Sequence, residues 1–92
     1  MTENTKDVQW DTDVKKKFEA MVGKIPVFLR EMAKEKVGKK AENNAREAKR
    51  MLVSEKDMVD AFFSETPFGF HGPMKCDMEE FNIDYVGCGY DR

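Results

Sequence analysis

Ninety-two residues, 40% hydrophobic and 37% charged, describe one domain with a single modest core. No apolar run approaches the roughly 20 residues that cross a bilayer, and the opening "MTENTKDVQW" lacks the apolar segment of a secretion signal. Two cysteines are too few for a disulfide framework, so the expectation is a small cytoplasmic domain with reduced thiols and a net charge of −2.

Residues 1 to 9 are polar and read as a frayed end. A first helix is predicted from Asp11 or Thr12, either of which can cap it. Val14, Phe18, Met21 and Val22 form its apolar stripe, Gly23 suits a left-handed closing residue, and Trp10 is expected to fold back onto the stripe. The stretch from Ile25 to Met51 carries the longest helical signal, with Pro26 at its first position. Leu29, Ala33, Val37, Ala41, Ala45, Ala48 and Leu52 recur every three or four residues, and Phe28 and Met32 widen the stripe at its start. Such a helix would be about 35–40 Å long, and Gly38 inside it marks a bend or a close crossing by another helix. Glu35–Lys39 and Glu42–Arg46 are ion pairs in the favourable order.

A third helix opens at Ser54, with Asp57 at its third position and Val53 and Met58 forming a hydrophobic staple; it ends before Pro67. Beyond it, Pro67, Gly69, Gly72 and Pro73 punctuate an extended segment. Asp77 to Phe81 can make one or two turns, and Ile83, Tyr85 and Val86 alternate like a short strand. The predicted architecture is therefore all-α: three helices over residues 1–64, the second dominant, with a mostly irregular tail over residues 65–92 packed on them. Its aromatic residues argue that the tail is ordered. Met21, Met32, Met51 and Met58 read as gap-fillers of the core.

Charge is unevenly spread. Eight Lys and Arg stand against four Glu from Arg30 to Arg50, and six acids against two bases from Glu65 to Arg92. The expectation is that tail and basic helix neutralise each other. A nucleic-acid face is the alternative, opposed by a pI of about 5.4.

The tail holds the residues that bear chemistry. His71, Cys76 and Cys88 follow no zinc spacing, and there is no C-x-x-C. Cys76 and His71 lack an orienting carboxylate for nucleophilic catalysis. The glycines form no phosphate loop, and the adjacent Glu79 and Glu80 diverge on a helix. No metal, cofactor or catalytic residue is assigned, and the chain is expected not to be an enzyme on its own.

Trp10, then Ile25-Pro26-Val27-Phe28-Leu29-Arg30, then Glu42 and Ala45-Arg46, then Val53-Ser54 and Ala61 form a pattern that resembles the small C-terminal domain of the B subunit of light-independent protochlorophyllide reductase. The resemblance covers about residues 10–63. The interval from Arg30 to Glu42 is about one turn longer than in that family, and the tail has no counterpart in it. The resemblance implies an accessory binding module with a protein partner or a tetrapyrrole-like ligand. Ile25, Pro26, Phe28 and Arg30 are then the candidate contacts, Phe28 offering apolar surface and Arg30 a carboxylate-binding guanidinium; structurally, the same residues can start a helix, pack and pair. A second stretch, Ala45 to Phe62, is similar to the second half of a histone fold. There Lys49 and Arg50 fall where such proteins meet nucleic-acid phosphates.

Overall fold

The computed structural model describes residues 8–92. Of the segment expected to fray, residues 1–7 lie outside the described part. Val8 is buried and Gln9–Trp10 form a strand, β1. Helix α1, Thr12–Val22, is capped by Asp11, whose side chain accepts from the Val14 amide at 3.3 Å. Helix α2, Val27–Glu47, starts one residue later than expected: Pro26 has the φ of a helical residue, −52°, but its ψ of 141° is extended, which makes it the N-cap. A two-residue strand, β2, Leu52–Val53, leads into α3, Glu55–Glu65. A 3-10 turn at Phe68–Phe70 and a fourth helix, α4, His71–Glu80, complete the order. β1 and β2 pair in parallel, Gln9 opposite Leu52 and Trp10 opposite Val53.

The molecule is thus mostly helical but not a pure three-helix bundle. The fourth helix is the main departure from expectation, and its reason is local. Pro73 falls in the first turn of α4, where its missing amide costs nothing, so the Gly/Pro punctuation starts a helix instead of preventing one. No strand forms at 83–86: Ile83 and Tyr85 are buried through turns. Gly23 is right-handed, with φ −63°, and α1 is closed by bonds from Lys24 to Met21 and from Ile25 to Val22.

Helix α2 is shorter than expected, 21 residues or about 31 Å. It closes in a Schellman motif: the Arg50 amide donates to Ala45 and the Lys49 amide to Arg46, each at 2.9 Å, with Lys49 left-handed at φ 62°. Helix α4 ends the same way, with Asn82 at φ 60° and Ile83 donating to Met78 at 2.8 Å. Residues that tolerate the left-handed region poorly or moderately here replace the usual glycine.

The core gathers Val14, Phe18, Met21 and Val22 from α1 and Val37, Ala41 and Ala45 from α2. The apolar face of α3 and Met74, Met78, Ile83 and Tyr85 from the C-terminal third join them in one cluster. Phe28 and Met32 do not belong to it. They are 84% and 51% exposed, because the first turns of α2 extend past the elements that cover the rest of the helix. Met51 and Leu52 are exposed as well. The methionine expectation therefore holds for Met21 and Met58 and fails for Met32 and Met51.

The acidic tail does not neutralise α2. Among the described residues, Glu80 pairs with Lys24 and Glu79 with Arg92. Tyr90 and Asp84 are bonded to α3 through Asp60 and Glu55. The tail is bonded to α1 and α3, and no ion pair joins its acids to a basic side chain of α2 among the described residues. No helix among the described residues is long and apolar enough to cross a membrane.

Candidate functional site

The start of α2 is built by its own chain. Ile25 is half-buried, Pro26 caps, and Val27 and Phe28 stand 73% and 84% exposed, with Met32 one turn further on. Arg30 is held back against the preceding turn. Its Nε donates to the Ile25 carbonyl and its Nη2 to the Gly23 carbonyl, both at 3.1 Å. That arrangement satisfies the carbonyl of the α1 C-cap and one of the connection, and ties the start of α2 back to that connection. Of the four candidate residues, Pro26 and Phe28 are exposed and Ile25 and Arg30 half-buried; Phe28 is the large apolar side chain among them left in water, at 84%, with Val27 and Met32 also exposed. A shallow cleft of about 290 Å³ lies next to them, lined by Val22, Val27, Arg30, Glu31 and Lys34.

Around the corner, α1 and α2 border a wider groove of about 540 Å³, lined by Trp10, Phe18 and Gly38 and by charged side chains of both signs. Glu31 and Lys34 belong to cleft and groove alike, so the two form one surface. Trp10 packs on Phe18 with ring centroids 4.8 Å apart, and its indole N–H donates to Glu42 at 2.9 Å. Glu42 is thereby taken from the ion pair expected with Arg46, which bonds Asn43 instead. Glu35 and Lys39 do pair, at 3.2 Å. No local pattern announces the Trp10–Glu42 bond, which spans 32 positions and arises only when β1 is laid beside β2.

At the opposite end of α2, the Schellman turn delivers Arg50 to α3. Its guanidinium holds Asp57 in a two-pronged ion pair, Nη2 to Oδ1 at 2.9 Å and Nη1 to Oδ2. Asp57 is buried and also closes a capping box with Ser54. Burial pushes its carboxyl up, but the bonds from Arg50 and Ser54 outweigh burial and hold it below the usual carboxylate range. Arg50 is therefore committed to structure. Lys49 is exposed beside it.

His71, Cys76 and Cys88 are not brought together, and among the described residues no group of three His, Cys, Asp or Glu side chains has the geometry of a metal site. Cys76 is exposed, and Cys88 is a half-buried free thiol that burial, aided by Glu55 and Asp60, pushes up, so it stays protonated at neutral pH. The His71 Nε2 lies 2.9 Å from the Thr66 carbonyl, and only an N–H can satisfy that acceptor. His71 also joins a cluster that no spacing in the sequence had assembled. Phe63 stacks on Tyr90 at 3.9 Å and meets the His71 ring edge-on at 5.0 Å; Phe68 lies 5.4 Å from His71. These rings, with Asp60, Ser64 and Lys75, line a pocket of about 390 Å³. The spacing of Phe68, His71 and Lys75 on one helical face is the available signal, hidden as long as this segment is taken for an extended one. Burial and the acceptor Asp60, 2.7 Å away, push the Tyr90 hydroxyl up to about 12, so it remains a donor at neutral pH.

Comparison with known proteins finds no match to any protein-family model, to any curated protein or to any solved structure.

Proposed function

We propose that the chain is a non-enzymatic binding module that docks a partner protein through the first turns of α2, a counterpart of the small C-terminal domain carried by the B subunit of the reductase. The observation that carries this reading is the exposure of Val27, Phe28 and Met32 on a helix whose start Arg30 ties back to the preceding connection. Three large apolar side chains held together in water by a rigid element are a common form of docking surface. The Arg30 bonds favour Phe28 over Arg30 as the contact residue. A tetrapyrrole-like ligand is a narrower form of the same proposal, using the adjoining cleft.

A photo-crosslinking amino acid at position 28 should capture one discrete protein, and that protein, purified, should bind the wild type and lose at least about tenfold in affinity for Phe28→Glu. Phe28→Glu should melt within a few degrees of the wild type, because the ring it replaces is 84% exposed. Unchanged binding by a normally folded Phe28→Glu refutes the docking surface. For the ligand form, a porphyrin-type compound should shift the NMR resonances of residues 25–34; if it shifts none there, the tetrapyrrole version falls and the protein version stands alone.

A histone-fold-like nucleic-acid binder is the second reading, supported by the order of short, long and short helices, 11, 21 and 11 residues, and by the exposed Lys36, Lys39 and Lys49. The commitment of Arg50 to Asp57 weakens it. Micromolar duplex-DNA binding that drops steeply between two salt concentrations would favour it.

A further inference from the structure

The pocket between α3, α4 and the C-terminal tail combines two features that a purely structural corner lacks. The first is unfilled aromatic surface. Phe63 has one face covered by Tyr90, but Phe68 at the rim is 87% exposed and touches only the His71 ring among the aromatics. The second is an unmatched charge. Lys75 is half-buried and has no ion-pair or hydrogen-bond partner among the described residues. The one carboxylate at the pocket, Asp60, is already engaged by the Tyr90 hydroxyl at 2.7 Å and by Lys56 at 2.9 Å. Its charge is therefore balanced from outside the pocket, and the ammonium of Lys75 is left to recognise an anion.

We propose that this pocket binds a small, flat aromatic carboxylate, its ring against Phe68 and the His71 edge and its carboxylate on the Nζ of Lys75. The tail builds the wall. Gly89, at φ +107°, turns the chain in a conformation open to glycine. The Tyr90 amide then bonds the Tyr85 carbonyl at 3.1 Å, which lays the ring on Phe63. A volume of about 390 Å³ suits a ligand of one or two fused rings. The site is separate from the α2 docking surface and stands or falls without it.

Indole-3-acetate and its neutral amide serve as probes, titrated into the full chain and followed by two-dimensional amide NMR. The acid should give saturable shifts at Ser64, Phe68, His71, Lys75 and Tyr90 with a Kd below about 1 mM, and the amide should bind at least about tenfold more weakly. Lys75→Gln should bring the acid down to the level of the amide. Phe68→Ala should weaken both. Both residues are free of core contacts that folding needs, and dispersion of the remaining spectrum checks that directly. The proposal is overturned by an absence of saturable shifts at the pocket up to about 5 mM. It is equally overturned by a preference for acid over amide that survives in Lys75→Gln, or by shifts that map to residues 25–34 instead.

Discussion

Asp57 shows how much a single side chain can hold together in so small a domain. It accepts from Arg50 across the α2–α3 connection and from the backbone and hydroxyl of Ser54, so one carboxylate closes a turn, caps a helix and joins two elements. Its partner Arg50 is 43% exposed, so losing the pair strands less charge than breaking a fully buried one. Asp57→Asn should therefore cost about 2 kcal/mol, in the range of hydrogen bonds to charged groups. A loss under about 0.5 kcal/mol by denaturant titration would mean that the ion pair is ornamental. The pH dependence has a definite sign. A carboxyl held below its ordinary 3.8 binds its proton more weakly in the folded chain than in the unfolded one. Its contribution is fully present above that ordinary value and is lost as pH falls through the lower folded value. Stability should accordingly decline on acidification below about pH 4, and Asp57→Asn should flatten that decline. The capping box is legible in the sequence as Ser-x-x-Asp. The ion pair is not, because Lys49, an ordinary residue in the left-handed region, gives no sign of the turn that aims Arg50.

At the scale of elements, the apolar periodicity of α2 is continuous, yet only Val37, Ala41 and Ala45 are buried. Periodicity reports which face of a helix is apolar; it does not report how far neighbouring elements reach along that face. That distinction separates a buried Val37 from an exposed Phe28, and it is the origin of the proposed docking surface. Gly38 sits in the buried half, and the nearest atom to an added methyl would be the Phe18 ring at 3.7 Å, an ordinary contact. The fold does not need glycine there. Gly38→Ala should stabilise by about 1 kcal/mol, raising Tm by roughly 4–8 °C, since alanine removes the backbone-entropy cost of a mid-helix glycine. A fall in Tm would mean that α1 and α2 approach more closely than this geometry allows. Helix α4 teaches the opposite lesson: Pro73 looks like a breaker in the sequence, and its position in the first turn makes it an initiator.

For the molecule as a whole, the C-terminal third is part of the core and not an appendage. Met74, Met78, Ile83 and Tyr85 are 6%, 0%, 3% and 2% exposed. Burial of each such side chain contributes about 1.5–3 kcal/mol, against a total stability of about 5–15 kcal/mol for a domain. A chain ending at Thr66 should therefore lose its cooperative thermal transition, and a sigmoidal melt from that fragment would show that it folds without the C-terminal third. The sequence by itself determined, to within a residue, where α1, α2 and α3 start, the cap at Ser54 and the packing of Trp10 on the apolar stripe of α1, because these depend on side chains within a few positions. Only the tertiary structure decided what lies far apart in the chain or depends on coverage. It brought Trp10 to Glu42, committed Arg30 to carbonyls, left Phe28 in water, and set Phe63, Phe68, His71, Lys75 and Tyr90 around one pocket. Local bonding is written in neighbouring residues, whereas exposure and long-range pairing are properties of which surfaces the packed chain leaves uncovered.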